Sequence, residues 1–158
     1  MSDTLDAAAI ALGLVLEPDP GLVGIVVLSL WVSVCATFLA SCVGVPLGAA
    51  LVVYPFPGRR AVIVLLNALL GLPPVVVGLV VYLLLSRAGP LGWLGMLFTP
   101  GAMIAAQTIL EIPILTVFAH RALIGAWTRY GDALLADGAT RARAVPVLAA
   151  MNRAGLLT

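Results

Sequence analysis

The sequence contains no lysine and few charged residues of any kind. Only 9% of its 158 residues are charged, and all eight basic residues are arginines. A soluble globular domain carries about 25% charged residues and about 45–50% apolar ones, whereas 63% of this chain is hydrophobic. The composition therefore excludes an ordinary soluble domain and indicates a membrane protein.

Motifs for catalysis and metal binding are also missing from the sequence. It has no nucleophile–base set, no cluster of metal ligands and no G-x-x-x-x-G-K-[ST] phosphate-binding loop. Its two cysteines, Cys35 and Cys42, lie in one apolar run, where two helical turns would separate them by about 10 Å, too far for a disulfide. We therefore expect no catalytic residue, metal site or cofactor, and we expect any ATP to be bound by a partner protein.

Three long apolar segments predict helices that cross a membrane. A span needs about 20 predominantly apolar residues. Residues 22–54, 61–86 and 99–121 meet that length, with polar turns between them. The sequence therefore predicts an all-α membrane protein with three transmembrane helices, organised as a single domain over residues 1–158.

Proline and glycine interrupt two of these segments. We expect Gly44, Pro46 and Gly48 to bend the last third of the first span, because a proline inside a helix removes a hydrogen bond. Pro73 and Pro74 stand together inside the second span. They free backbone carbonyls that hydrocarbon cannot satisfy, so neighbouring helices or a water-lined path must do so.

The arginines predict the orientation of the chain in the membrane. In a three-span arrangement seven of them fall on one side and only Arg87 on the other. By the positive-inside rule the seven-arginine side is cytoplasmic, which places the acidic segment 1–20 outside the cell and the C-terminus inside. That segment lacks the basic start of a secretory signal peptide, so we expect no cleavage. The seven are Arg59, Arg60, Arg121, Arg129, Arg141, Arg143 and Arg153.

Residues 130–158 mix charge, glycine and helical periodicity, and they predict two short amphipathic helices parallel to the membrane. Gly138 suits either a helix end or the close approach of another surface, and Pro146 suits the first turn of the second helix. Such a pair could engage a partner protein or lie in the membrane interface with its arginines on lipid phosphates. Periodicity alone favours neither. The apolar stripe of the second helix is Val147, Leu148, Met151 and Ala154.

Residues 130–158 resemble the loop by which permease subunits of ABC importers engage their ATPase. The family pattern is Glu-Ala-Ala, a glycine six residues after the Glu, and an apolar residue near Leu-Pro. This sequence departs from that pattern at Asp132 (Glu in the family), at Leu134 (Ala) and at Ala150-Met151 (Leu-Pro). The residues that the resemblance assigns to the docking loop are Asp132, Ala133, Gly138, Ala139, Leu148 and Gly155.

Three further stretches resemble tungstate-type permeases, which are relatives of molybdate and sulfate permeases. They are FPGRR at 56–60, GLPPVVVGLVVYLLLSRAGPLG at 71–92 and LFTPGAMIAAQTIL at 97–110. Molybdate-type permeases share PGRR and LPPVV-like patterns, so the GPLG and LFTP stretches favour tungstate. The alternatives are a molybdate or sulfate permease and, from another class, a non-transporting membrane scaffold with an interfacial tail.

The resemblance implies an inner-membrane permease subunit with several partners. In that family the permease forms a homodimer, receives an oxyanion from an extracytoplasmic binding protein and is driven by cytoplasmic ATP-binding subunits. We expect no nucleic-acid partner. Family members continue past the docking loop into about two further spans, whereas the sequence ends at Thr158, so we expect it to correspond to the N-terminal portion of such a permease.

A few residues inside the spans are candidates for the translocation path or for gating. An ionised Glu111 near the middle of the third span would cost at least about 2.5–3.5 kcal/mol and would repel an oxyanion. We therefore expect Glu111 to be protonated, or bonded to Gln107, Thr108 or a carbonyl freed by Pro113, and to support packing or gating, with a direct role in transport as the alternative.

The starts of two helices are further candidates for the translocation path. Helix N-termini carry partial positive charge, and the breaks at Pro73-Pro74 and Thr99-Pro100 could present it to a dianion, as discontinuous helices do in other transporters. The alternative is that these prolines only shape helix packing.

Overall fold

The structure is a computed structural model that describes residues 20–155, with side chains up to Met151. It confirms the predicted all-α class, and no strand occurs within those residues. The predicted extracytoplasmic segment lies outside them, apart from Pro20. The helices are α1 (Pro20–Val53), α2 (Arg59–Leu69), α3 (Pro74–Leu85), a turn of 3₁₀ helix (Gly92–Leu94), α4 (Pro100–Ala136) and α5 (Arg141–Gly155).

Two of the helices, α1 and α4, are each long and apolar enough to cross a membrane. They contain 34 and 37 residues. The predicted second span, 61–86, is in the structure a broken one, because α2 and α3 are bent by 99° relative to each other. At 1.5 Å per residue α3 is about 18 Å long, shorter than the roughly 30 Å of hydrocarbon. The pair makes a third crossing only if both helices are counted together.

The break between α2 and α3 follows from the two adjacent prolines. A proline disfavours helical geometry in the residue before it, and both Leu72 and Pro73 precede a proline. Pro73 is extended, with φ −62° and ψ 131°. Pro74 then begins α3, a position where the missing N–H of proline has no intrahelical partner to lose. The prolines therefore end one helix and start another rather than bend a continuous one.

Small residues bring α1 and α4 close together. A Cβ atom added to Gly48 would lie 2.5 Å from the Thr116 carbonyl oxygen, and one added to Gly44 would lie 3.0 Å from the Ile112 carbonyl oxygen. Helix backbones approach this closely where small residues recur along a face. The buried residues of α1 include a row at a spacing of four, namely Val32, Ala36, Ala40, Gly44, Gly48 and Val52.

These contacts also give the direction of the two helices. Gly44 lies against Ile112 and Gly48 against Thr116, so α1 and α4 run parallel. The helix α1 continues through Pro46 to Val53. Gly44 and Gly48, which the sequence analysis grouped with that proline, make close contact with α4.

The helix α3 runs antiparallel to α4. Val76, near its start, and Pro113 of α4 line an apolar cavity of about 420 Å³. Near its end the Tyr82 ring packs edge-on against Phe98, with ring centroids 6.5 Å apart. The start of α3 therefore lies near the middle of α4, and its end lies near the start of α4.

The helix α4 extends 15 residues beyond the predicted span 99–121. No proline occurs in residues 114–137, and the helix ends only where Gly138 adopts a φ of +85°. There the Ala139 N–H donates to the Leu134 carbonyl (3.0 Å) and the Gly138 N–H to the Leu135 carbonyl (3.1 Å), the two bonds of a Schellman motif. The first of the two predicted short helices is therefore the end of α4.

The helix α5 is the second of the predicted short helices. The Arg143 N–H donates to the Thr140 hydroxyl oxygen at 3.4 Å, so Thr140 caps the start of the helix. Because the cap lies there, Pro146 is the sixth residue of α5. The prediction that Pro146 belongs to the first turn of this helix is therefore wrong.

Candidate functional site

Buried apolar residues fix α5 on the end of α1. Leu148 and Ala144 are both 0% exposed. The side chain of Leu148, which the resemblance assigns to the docking loop, is therefore enclosed by the chain itself. Val147 and Met151 of the same helix remain 44% and 42% exposed. The cluster around Leu148 consists of Ala49, Val52, Val53, Leu123 and Ala144.

Two arginines complete the end of α1. The last four carbonyls of a helix have no partner inside it, and that end favours cations. The Arg141 Nη1 atom of α5 donates to the Val53 carbonyl at 2.7 Å, and the Arg59 Nε atom donates to the Leu51 carbonyl. Arg141 therefore joins α5 to α1 at the same place as the apolar cluster.

Four of the five remaining predicted docking residues lie at the junction of α4 and α5, and Gly155 lies at the far end of α5. Asp132 and Ala133 are exposed on the last turns of α4, Gly138 is exposed in the turn, and Ala139 is half-buried beside it. Gly155 is the last residue of α5. A Cβ atom added to Gly138 would meet nothing within 4 Å, so the positive φ alone accounts for glycine at this position.

Positive charge dominates this end of the molecule. Of the arginines there, none forms an ion pair with a carboxylate of the described residues. Asp132 and Asp137 are the acidic residues within the part of α4 and the turn that the structure covers there. The surface is therefore suited to anionic groups from outside the chain. The arginines are Arg59, Arg60, Arg121, Arg129, Arg141 and Arg143.

Four polar residues of α4 carry buried atoms that lack hydrogen-bond partners within the described residues. Three lie close together in sequence, namely Gln107 Oε1, Thr108 Oγ1 and Glu111 Oε2, and the fourth is His120 Nε2. The hydrogen bond expected between Glu111 and Gln107 or Thr108 is therefore absent from the described residues. An unpaired polar atom in an apolar interior costs free energy.

The position of Glu111 along α4 places it toward α1. Ile112 and Leu115 contact Gly44, and residues four apart share a helix face. Thr108 precedes Ile112 by four residues, and Glu111 precedes Leu115 by four. By this spacing both residues lie on the side of α4 that faces α1.

The two helix starts proposed for an anion site lie apart from each other. Pro74 begins α3, where Val76 lies beside Pro113. Thr99 immediately precedes α4. It lies near the other end of α3, in a cleft that Tyr82 also lines. The length of α3, about 18 Å, separates them. The structure therefore does not bring the two starts together around one ligand.

Sequence reasoning missed the contacts that hold these elements together. The stripe from Ala36 through Ala40 and Gly44 to Gly48 was visible as small residues at a spacing of four, which is typical of close helix packing in membranes. The bond from Arg141 to Val53 had no such signal, because the two residues lie 88 positions apart.

Together these features define an α-helical membrane protein in which a peripheral helix is fixed to the arginine-rich end of two parallel spans. The chain is 39% identical over 137 residues to a probable anion ABC transporter permease protein of Haloferax volcanii, covering 87% of this chain and 59% of that protein. Over most of its length the chain is thus similar to ABC transporter permease proteins.

Two further relatives are named as tungstate uptake system permease proteins TupB. The one from Peptoclostridium acidaminophilum is 42% identical over 104 residues, covering 66% of this chain and 46% of the relative. The one from Campylobacter jejuni is 43% identical over 61 residues, covering 39% and 26%. The chain thus spans about half the length of the curated relatives that it matches over most of its sequence. No protein-family model matches the sequence, and no solved structure shows significant similarity to it.

Proposed function

We propose that this chain is a transmembrane permease subunit, or the N-terminal portion of one, of an ATP-driven oxyanion importer. The observation that carries the proposal is the 39% identity over 137 residues to an anion ABC permease. Two relatives named for tungstate uptake favour tungstate as the substrate, with molybdate and sulfate as the alternatives. ATP hydrolysis then belongs to a partner subunit.

The junction of α4 and α5 is the proposed docking surface for that ATP-binding subunit. Asp132, Ala133 and Gly138 are exposed there, as is Val147 on the outer side of α5. The concentration of arginines at this end favours the cytoplasm, where an ATPase would be. The exposed residues supply contacts for the partner, while Leu148 contributes from inside by holding α5 in place.

The internal contacts suggest how a movement of the partner would reach the membrane. Force applied to α5 would pass to α1 through the Leu148 cluster and the Arg141–Val53 hydrogen bond. It would pass to α4 through the turn at Gly138. Because α1 and α4 touch closely at Gly44 and Gly48, the two helices would move as one unit. A rigid connection of this kind transmits displacement better than a flexible linker.

Within the membrane, Glu111 is proposed to support packing or gating. Its position on the side of α4 toward α1 supports a role in packing, and the repulsion between a carboxylate and an oxyanion argues against direct binding of the substrate. A second copy of the chain and an extracytoplasmic oxyanion-binding protein complete the proposed importer.

Copurification with the ATP-binding subunit tests the docking surface. We expect Val147→Arg and Gly138→Trp each to lose the subunit. The matched control is Trp93→Arg, which changes a residue that is 81% exposed in the turn at the opposite end. If the subunit stays bound to both of the first two variants, the docking surface is wrong. A membrane scaffold would bind no ATP-binding subunit in any variant.

Uptake measurements with the complete importer test the substrate. Tungstate accumulation is measured against competing molybdate and sulfate. Tungstate as substrate predicts that neither competitor suppresses uptake at equal concentration. Suppression by molybdate or sulfate would assign the importer to that oxyanion instead.

A further inference from the structure

An open cleft between α4 and α5 is lined by two of the arginines that form no ion pair with a carboxylate of the described residues. Its volume is about 610 Å³. Arg121, Gly125 and Arg129 are four residues apart and share a face of α4, so the two guanidinium groups stem from points about 12 Å apart along the helix. The lining residues are Arg121, Ala122, Gly125, Ala126, Arg129, Tyr130 and Met151.

Small residues leave room between the two arginines. Gly125 is exposed, and a Cβ atom added to it would meet nothing within 4 Å. Ala126, another small residue, lines the cleft beside Gly125, and the exposed side chain of Met151 gives the cleft an apolar side. The cleft therefore combines two cations with an apolar base.

The two arginines retain hydrogen-bond donors for a ligand. One Arg121 nitrogen donates to Asn67 Oδ1 at 2.9 Å, and the Arg129 guanidinium lies 5.7 Å from the centre of the Tyr130 ring. Neither forms an ion pair with a carboxylate of the described residues. A guanidinium has five N–H donors in a planar arrangement that matches phosphate oxygens.

The cleft also lies at the depth where lipid headgroups are expected. From Pro100 to Arg121 α4 rises about 32 Å, close to the roughly 30 Å thickness of the hydrocarbon core. If the hydrocarbon begins at Pro100, next to the exposed Phe98, then it ends at Arg121. Arg129 lies about 12 Å further along α4, on the headgroup side of that boundary.

We propose that this cleft binds an anionic phospholipid, with its phosphate between Arg121 and Arg129 and its glycerol and upper acyl carbons over Gly125, Ala126 and Met151. Basic pockets between helices at the end of the apolar spans are suited to anionic headgroups. The site does not depend on ATPase docking, which uses Asp132, Gly138 and Val147, so either proposal can fail without the other.

Native mass spectrometry of the full chain, extracted from vesicles of equal phosphatidylglycerol and phosphatidylcholine, tests this site. The unaltered chain should retain phosphatidylglycerol in preference. Arg129→Gln should lower that retention about fivefold, the change expected for one cation near an anionic surface. Gly125→Leu should lower it similarly, because it fills the cleft without changing charge. Arg143→Gln is the matched control, since it removes an exposed arginine outside the cleft.

Several results would overturn the proposal. They are equal retention of the two lipids by the unaltered chain, an equal loss in Arg143→Gln, and unchanged retention in Gly125→Leu. Displacement of the lipid by millimolar inorganic phosphate would assign the cleft to a soluble anion and would overturn it as well. Circular dichroism on each variant confirms that the helices are intact.

Discussion

The guanidinium of Arg141 donates a 2.7 Å hydrogen bond to the carbonyl of Val53, the last residue of α1. It joins a peripheral helix to the end of a membrane span across 88 positions of sequence. The bond satisfies a carbonyl that helix geometry leaves without a partner. It lies beside Leu148, so polar and apolar contacts together hold α5 against α1.

Removal of this bond should loosen α5. Arg141→Gln takes away a charged donor, and such hydrogen bonds contribute about 1.5–3 kcal/mol. We expect a lower midpoint of thermal unfolding in detergent and faster proteolysis within α5. Arg143→Gln, on the exposed side of the same helix, should change neither. Equal effects of the two substitutions would show that only net charge matters.

Truncation of Leu148 should be more damaging than truncation of its neighbour. Leu148→Ala opens a cavity at a fully buried position, which costs about 2–5 kcal/mol. Val147→Ala changes a side chain that is 44% exposed and should leave the unfolding midpoint nearly unchanged. A larger effect at Val147 would mean that the other side of α5 faces α1.

A single methyl group at Gly48 should separate α1 from α4. In Gly48→Ala the new Cβ would lie 2.5 Å from the Thr116 carbonyl oxygen, so backbone must shift, at a cost of about 1–3 kcal/mol. Gly24→Ala is the control on the same helix, because nothing lies within 4 Å of its added Cβ. Thermal unfolding compares the two, and equal stability would argue against the close parallel contact.

The turn at Gly138 should depend on backbone geometry rather than on space. Gly138→Ala forces a side chain into a φ of +85°, which costs about 1–2 kcal/mol. Gly125→Ala lies inside α4 with nothing within 4 Å of the added Cβ and should be neutral or stabilising, since alanine is the better helix former. Differential scanning calorimetry compares the unfolding midpoints of the two variants. A lower midpoint for Gly125→Ala than for Gly138→Ala would contradict the left-handed turn.

Local chemistry made several features of this fold predictable. The absence of charge in residues 22–54 indicated a span, and α1 follows nearly that range. The adjacent prolines at Pro73 and Pro74 indicated an interruption, which the structure shows as a 99° break. Gly138 indicated either a helix end or a close approach, and the structure shows the helix end.

The features that could not be predicted depend on contacts distant in sequence. Periodicity placed Leu148 on the apolar side of a short helix but could not tell whether a partner or α1 covers it. Periodicity also could not show that α4 continues to Ala136, because no local sequence feature marks where a continuous helix leaves the membrane. The partner of Arg141 is a backbone carbonyl, which no residue type reveals.

Membrane topology is the most direct test of the central claim, that the α4–α5 junction lies inside the cell, where an ATP-binding subunit can engage it. Single cysteines are introduced as Val147→Cys and Trp93→Cys in a chain carrying Cys35→Ala and Cys42→Ala, and intact cells are treated with a membrane-impermeant thiol reagent. If the junction lies inside the cell, Trp93→Cys is labelled at once and Val147→Cys is labelled only after the membrane is permeabilised. Labelling of Val147→Cys in intact cells would contradict that claim.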